Sequence, residues 1–335
     1  MVSLSAGWNL KSGNINLKNC SEDYIWSKFN YVFSDSSRKR NTYKFGLIKA
    51  ILDNLFNMNQ IGDSYFLSYI SLFEKFSQNY WNLIVKYKLK QMRPDGKSVY
   101  SKIEQIFQQA VKENRIIAEL EFESLNEDEK NQIIQNVLKV CKRNVVGALY
   151  NDVDGVLYGF DLAGDGLYIG YDAYCFMLKY KSELERLNYY SWAKFLEKVN
   201  DDNALIRVID KLELSTPKRS DLSIYREILR KEFEENTCFY CGKKLSGIIH
   251  VDHFIPWSYV KDDKMWNFVL ACNSCNCRKN NKIPSKDFLI RILERNKKAN
   301  LSSNNLVVED FRNYDELKMK RLWKYSQLSG YVQMN

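Results

Sequence analysis

Two C-x-x-C pairs constrain the fold of this chain more than any other feature. Cys238-Phe-Tyr-Cys241 and Cys272-Asn-Ser-Cys275 are separated by roughly thirty residues. At this spacing four thiolates can close a tetrahedral zinc site. All four ligand positions would then belong to the protein, so the ion would be structural. We therefore expect one structural Zn²⁺ and a small module folded around it.

The other cysteines show no pairing pattern. Cys20, Cys141 and Cys175 stand alone and are expected to be buried apolar residues, whereas Cys277 is expected to pack on a helix. A disulfide framework would instead spread pairs along a small secreted chain. The chain also has no run of eighteen or more apolar residues, and 1–8 has no basic segment followed by an apolar one. These features predict a cytoplasmic protein without a membrane partner.

Length and patterning predict an α+β protein with several parts. A chain of 335 residues exceeds the usual size of one domain. We expect a mainly helical recognition or regulatory domain over 1–144. A small antiparallel β element with helices is expected over 145–220, ending in a linker at 215–220. A cysteine-bearing module over 221–300 and a basic C-terminal helix over 301–335 would follow.

Local patterns give the expected elements of these parts. Apolar residues recur at helical spacing in several segments, and Asn126 with Glu129 predicts a capping box at the start of one helix. Short β-prone runs between turn residues predict strands. The predicted helices cover 43–56, 65–89, 126–143, 171–199, 222–235, 285–298 and 308–327, and the predicted strands cover 145–150, 155–160 and 166–170.

The two histidines of the chain both lie between the cysteine pairs. In His250-Val-Asp252-His253-Phe-Ile-Pro256, strand alternation places His250 and Asp252 on one face and His253 on the other. A second predicted strand begins after Asn267. A lone histidine is most often a core residue, but an Asp-His pair inside a zinc-bracketed segment favours a catalytic site.

A short basic helix is predicted over 274–282 and carries Asn276, Arg278, Lys279 and Asn280. The implied order of elements is strand, loop, strand, helix. Such a unit can hold a carboxylate from the first strand and an amide oxygen from the helix against one hard cation. The sequence therefore predicts a second metal site beside the structural zinc. Asn280 is expected to be a polar residue of the helix surface.

These residues resemble the HNH family of ββα-metal nucleases, whose pattern is an Asp-His pair, an Asn before an apolar strand, and Cys-x-x-Cys-Asn-x-x-Lys opening a helix. The resemblance covers about 45 residues, which makes 221–300 the expected nuclease domain. It implies that His253 is the general base and that Asn267 fixes the loop. It also implies that Asp252 and Asn276 bind the catalytic metal. The family name records a histidine where this sequence has Asn276, and Asp and Asn oxygens suit Mg²⁺ or Mn²⁺ better than zinc.

The charge of the chain favours a polyanionic partner. Lys and Arg outnumber Asp and Glu by 50 to 41, a net charge of +9. We expect Arg278 and Lys279 to contact phosphate, with plain solvated charges as the alternative. The basic loop 36–40 is a second predicted phosphate-contacting group, for which an ordinary exposed loop is an equal alternative. Its basic residues are Arg38, Lys39 and Arg40.

The resemblance implies an endonuclease that hydrolyses phosphodiester bonds of double-stranded DNA, of the bacterial restriction or phage-defence kind. Because one such site cuts one strand, double-strand cleavage predicts a homodimer. Two alternatives stay open. One is a zinc-ribbon protein that binds nucleic acid or a protein without catalysis, and the other is an HNH nuclease that acts on RNA or branched DNA. The presence of the predicted base and metal ligands favours the enzyme.

Overall fold

The computed structural model describes residues 10–17, 20–94, 96, 98–114, 116, 120–214 and 221–334. Contacts along the chain divide it into two compact units, Met1–Pro217 and Lys218–Asn335, called unit 1 and unit 2 below. The predicted linker at 215–220 lies outside the described residues. Within the described residues, no helix combines the length and the apolar character that a membrane span requires.

Unit 1 is mainly helical. Its described α-helices are α1 Glu22–Phe33, α2 Tyr43–Asp53, α3 Tyr69–Trp81, α4 Lys102–Glu113, α5 Glu127–Asp152, α6 Tyr171–Lys179, α7 Lys181–Leu196, α8 Asp202–Leu205 and α9 Val208–Leu214. A π-helical turn, Asn82–Lys86, follows α3, and a short 3₁₀ turn, Phe122–Ser124, precedes α5. The mainly helical character predicted for the first part of the chain is confirmed.

The longest helix, α5, begins at the predicted capping box. Asn126 Oδ1 accepts from the Glu129 N–H (2.8 Å), and Glu129 Oε2 accepts from the Asn126 N–H (3.1 Å). The helix continues to Asp152, so the strand predicted at 145–150 is wrong. Val145, Val146 and Leu149 are buried along α5. Tertiary burial of one helical face therefore overrides the β propensity of this run.

A five-stranded antiparallel sheet completes unit 1, with strand order β1-β4-β5-β3-β2. Its strands are β1 Ser12–Gly13, β2 Asn59–Ile61, β3 Ser64–Ser68, β4 Tyr158–Asp161 and β5 Gly166–Gly170. The two predicted strands that became β4 and β5 are confirmed. The start of the helix predicted from residue 65 is wrong, because these residues form β3 and pair with β5. A Cβ at Gly166 would lie 2.2 Å from the Leu67 carbonyl oxygen, so this close pairing requires glycine.

Unit 2 contains a two-stranded hairpin among helices. The elements are α10 Ser223–Lys231, β6 Ile249–His253, α11 Trp257–Val260, β7 Phe268–Cys272, α12 Asn273–Lys279, α13 Lys286–Lys297, α14 Asn305–Phe311 and α15 Glu316–Leu328. β6 and β7 are antiparallel, with His253 opposite Phe268 and Ile249 opposite Cys272. The predicted α+β fold, with a strand-strand-helix unit near the C-terminus, is confirmed.

Buried polar side chains attach the later helices of unit 2 to this hairpin. Arg295 of α13 donates to the Phe268 carbonyl (2.6 Å) and pairs with Glu235 (3.1 Å). Asp310 of α14 accepts from the Met265 N–H (2.8 Å), just before β7. The single helix predicted over 308–327 is wrong, since α14 and α15 are separate helices. Residues after 300 therefore help to hold the hairpin in place.

Candidate active site and metal centre

Four cysteine side chains converge in unit 2. Their Sγ atoms all lie within 4.8 Å of one another, and Cys241 Sγ lies 4.0 Å from Cys272 Sγ. Zn–S bonds of about 2.3 Å place the sulfurs of a tetrahedral site roughly 3.8 Å apart, so the cluster fits a zinc ion. The predicted four-cysteine cluster is confirmed. Its members are Cys238, Cys241, Cys272 and Cys275.

Backbone hydrogen bonds favour the thiolate form of Cys238. Burial raises the pKa of the Cys238 thiol, but hydrogen bonds from backbone N–H groups, including those of Cys241 and Cys272, more than offset this and lower it to about 7. Burial, together with the neighbouring cysteine side chains, raises the pKa of Cys275 to about 12. Four sulfurs this close cannot all be charged without a cation among them. A zinc ion would supply that charge, and the fold of the two knuckles would depend on it.

The carboxylate of Asp252 is enclosed by two donors. The side chain is 8% exposed, and Tyr240 donates its hydroxyl to Oδ2 (2.5 Å). The Lys279 ammonium lies 3.2 Å from Oδ1 and 3.1 Å from Oδ2. Burial and the Asp252 charge raise the pKa of Tyr240 well above its ordinary value, so the hydroxyl stays a neutral donor. The carboxylate is therefore fixed in position between β6 and α12.

His253 ends β6 and is oriented by a second carboxylate. Its Nε2 lies 2.7 Å from Oδ1 of Asp263, and its ring packs edge-on against Phe268, with centroids 4.7 Å apart. The imidazole is only 5% exposed. A bond in which Nε2–H donates to Asp263 leaves the Nδ1 lone pair as the acceptor of the ring. This arrangement is suited to accepting a proton at Nδ1.

Asn267 joins the two ends of the loop between the strands. Its side chain is fully buried and bonds both backbone groups of Ile255, with Nδ2 donating to the carbonyl (2.9 Å) and Oδ1 accepting from the N–H (2.8 Å). The Asn267 carbonyl also accepts from the Phe254 N–H (2.7 Å). These three bonds hold the segment after His253 against the start of β7.

Helix α12 carries the remaining predicted site residues. Asn276 is partly exposed, and within the described residues its side-chain amide makes no hydrogen bond. Asn280 lies beyond the helix end, with φ 46°, and its N–H donates to the Asn276 carbonyl. His250 Nε2 lies 3.0 Å from Asn273 Oδ1, and His250 is not a member of the cysteine cluster. Cys277 is exposed and is not a member of the sulfur cluster.

The predicted phosphate contacts fall in different environments. Arg278 is exposed, and its guanidinium lies 3.7 Å from Cys275 Sγ. Lys279 is 1% exposed and donates to the His253 carbonyl (2.5 Å) as well as to Asp252. A buried ammonium that is already paired in this way does not fit the predicted phosphate contact of Lys279. The other predicted contacts belong to unit 1, as Arg38, Lys39 and Arg40.

Asp263 and Tyr240 are the residues that sequence reasoning missed. Asp263 lies in a loop with no periodic pattern, and the signal available for it was the acidic pair Asp262-Asp263 shortly after the histidine. Tyr240 lies inside the first C-x-x-C pair, a motif whose spacing indicates a role only for the two thiols.

Comparison with known proteins bears on this segment. Residues 238–285 match the HNH endonuclease family model. The match begins at the first cluster cysteine and ends just before α13, so it contains every residue of the metal centre and of the hairpin described above. Searches of curated proteins and of solved structures found no match to the chain. The HNH match points to nuclease activity and hence to a nucleic-acid substrate.

Proposed function

We propose that this protein is a metal-dependent endonuclease that hydrolyses phosphodiester bonds of DNA, with His253 as the general base. The observation that carries the proposal is the pairing of His253, on the strand that also presents Asp252, with the partly buried carboxylate of Asp263. A passive zinc ribbon has no need of a histidine held in one orientation by a carboxylate. The enclosing HNH match agrees with this choice of chemistry.

His253 would act by accepting a proton from water. A phosphodiester resists neutral water, so a base must remove the proton as the oxygen attacks phosphorus. Nδ1 would receive it, because Nε2 is bonded to Asp263 (2.7 Å). The Asp263 carboxylate would then stabilise the resulting imidazolium and hold the ring in line. Asn267 would keep the loop that follows His253 in register through its bonds to Ile255.

Asp252 and Asn276 are the residues that would hold a catalytic Mg²⁺ or Mn²⁺. Their carboxylate and amide oxygens are hard donors of the kind these ions prefer, and the Asn276 amide is partly exposed. A bound divalent cation would offset the negative charge that develops on the phosphate. Lys279 and Tyr240 would hold the Asp252 carboxylate in place for it.

The proposed substrate is double-stranded DNA, and the proposed role is bacterial restriction or phage defence. Arg278 is the proposed phosphate contact of unit 2, since it is exposed on the same short helix as Asn276. In unit 1, Arg38, Lys39 and Arg40 are proposed as further nucleic-acid contacts, which would give this unit a recognition role. One such site cuts one strand, so we propose that a homodimer makes double-strand breaks.

Cleavage of supercoiled plasmid tests the proposal. The full chain should nick plasmid when Mg²⁺ or Mn²⁺ is added, and His253→Ala should lower the rate by about 10² or more, the scale of a positioned general base. His250→Ala is the matched control, because it removes the other histidine, which bonds Asn273 instead. Near-wild-type cleavage by His253→Ala, with unchanged zinc content, would show that His253 is not the base.

A further inference from the structure

A cavity of about 690 Å³ lies in unit 1, and none of its lining residues belongs to the proposed active site. Its volume falls in the range of small-molecule sites. Its lining comes from four places in the chain: the end of α1 with the segment after it, Phe45 of α2, the stretch before α4 that contains Arg93, and the C-terminal part of α7 with the residues just after it. All of these residues belong to one compact unit and to the described part of the chain.

The lining of this cavity is strongly cationic. One acidic residue, Asp35, accompanies the cations, and it pairs with Lys198 (3.2 Å). Five of the cationic side chains are exposed, and Lys39 is half-buried. Like charges around one concavity repel one another, and a bound anion would offset that repulsion. The cations are Arg38, Lys39, Arg40, Arg93, Lys194 and Lys198.

Hydrogen bonds hold the backbone that carries the cations of this cavity, called the cationic wall below. Lys44 donates to the Arg38 carbonyl (2.9 Å) and to Asp152 (2.6 Å). The Arg93 N–H donates to the Arg40 carbonyl (3.1 Å), which joins two cationic parts of the lining. Burial, followed by the nearby Lys44 charge, lowers the pKa of Lys39 to about 8. The backbone is thus organised before any ligand arrives, which reduces the entropic cost of binding.

Aromatic side chains complete the lining. Phe33 is half-buried and Tyr190 is 59% exposed, and both line the cavity. The Lys194 ammonium lies 5.6 Å from the Tyr190 ring, and the Arg93 guanidinium lies 5.6 Å from the Phe195 ring. Planar aromatic surface beside several cations matches a ligand that carries both a base and phosphate.

We propose that this cavity binds a nucleotide, with its phosphates on the cationic wall and its base against the aromatic side chains. The nucleotide has two sources, a free nucleoside phosphate or one unit of a nucleic-acid strand. A second cavity of about 510 Å³ shares Arg38, Lys39 and Arg40, so a strand has room to continue past them. The proposal goes beyond the nuclease function. It rests on that function only if the nucleotide is one unit of a nucleic-acid strand.

Calorimetric titration of the full chain tests this site. The titrated protein carries the His253→Ala substitution, and no divalent ion is added, so the ligand is not cleaved. The probes are ATP, a short single-stranded oligothymidylate and tripolyphosphate. We expect saturable binding of ATP or of the oligonucleotide, and the tighter of the two identifies the source. Arg93→Ala/Lys194→Ala should raise its Kd about ten-fold or more, because charge-assisted phosphate contacts are lost.

Matched variants separate this site from general charge attraction. Lys112→Ala/Lys139→Ala removes the same charge from exposed positions of α4 and α5 and should leave the Kd near the wild-type value. Tyr190→Ala should weaken nucleotide binding without weakening tripolyphosphate binding. The proposal is overturned if neither nucleotide probe binds, or if Arg93→Ala/Lys194→Ala binds like wild type. Equal affinity for tripolyphosphate and ATP would also exclude a nucleotide site. None of these results depends on cleavage activity.

Discussion

Each unit buries a lysine that is bonded to a carboxylate, and the two pairs are built differently. Lys181 and Glu185 lie one turn apart on α7, 2.8 Å from each other, and Lys49 with Asp53 completes the charges around them. Lys279 instead joins α12 to Asp252 on β6, at 3.1 Å. Each lysine is 1% exposed. The first pair is local and charge-balanced, whereas the second crosses between elements at the proposed catalytic metal site.

The two lysine–carboxylate pairs contribute different things to the protein, stability in unit 1 and positioning in unit 2. A pair within one helix adds to the stability of that helix and its packing and leaves no group for a ligand. The pair in unit 2 fixes the Asp252 carboxylate of the proposed metal site, so its geometry matters more than its stabilising energy. The same interaction therefore maintains a core in unit 1 and positions a proposed metal ligand in unit 2.

The largest expected effect comes from removing a cluster cysteine. Cys272→Ala should reduce bound zinc from about one ion per chain to little or none and unfold unit 2, because structural zinc contributes about 10–16 kcal/mol to folding. That energy is at least comparable to the usual stability of a whole domain. Elemental analysis and circular dichroism measure both changes. Unit 1 should keep its helical circular dichroism signal, because its core contains none of these cysteines.

Cys277→Ala is the matched control for the zinc prediction. This cysteine is exposed on the same helix as Cys275 and does not belong to the sulfur cluster. The variant should keep its zinc and its fold. A folded, active wild-type protein that contains no zinc would contradict the structural role of the cluster.

The second largest expected effect comes from breaking the buried Lys181–Glu185 pair of unit 1. Lys181→Met should lower the free energy of unfolding of unit 1 by about 3 kcal/mol, because Glu185 would lose its closest cation in a buried site. Denaturant unfolding followed by tryptophan fluorescence measures this loss. Lys179→Met, two residues earlier on α6, removes a lysine whose pair with Glu22 is partly exposed, with side-chain exposures of 31% and 50%. It should cost less than about 1 kcal/mol. Equal losses in the two variants would show that the burial of Lys181 is not what matters.

The sequence predicted the chemistry of unit 2 better than the architecture of unit 1. The four-cysteine cluster follows from spacing alone, because two short C-x-x-C turns bring their own thiols together. The strands of the hairpin and the helix after them also have local signals. In unit 1, β3 depends on a partner at β5, far along the chain, so no local pattern could separate 64–68 from the helix that follows. The β-prone run at 145–150 is helical for the same reason, since burial decides it.

Side-chain partners were the least predictable part of the site. Lys279 follows Arg278 in a basic run, and nothing in its neighbours along the chain indicates that it turns inward to Asp252. Asp263 is ten residues after His253 and bonds it in a loop whose two ends Asn267 joins. Such partners are set by tertiary geometry, whereas residue spacing reports only what lies on one element.

The smallest expected effect concerns Asp263, the carboxylate that orients His253. Asp263→Asn keeps the size of the side chain but removes the charge that would stabilise the imidazolium. We expect kcat for plasmid nicking to fall about ten-fold, the equivalent of one charge-assisted hydrogen bond. KM should change little, because Asp263 acts through His253 and is not a proposed DNA contact. Zinc content and the unfolding midpoint should stay near the wild-type values.

Asp262→Asn makes the same chemical change one residue earlier. Asp262 Oδ1 accepts from the Asp263 N–H (3.0 Å), and the bond from His253 goes to Asp263. If Asp263 is a positioning residue for the base, Asp262→Asn should keep most of the activity and Asp263→Asn should not. A rise in KM with unchanged kcat in Asp263→Asn would assign this carboxylate to substrate binding. The difference between the two units would then rest on the Lys279–Asp252 pair alone.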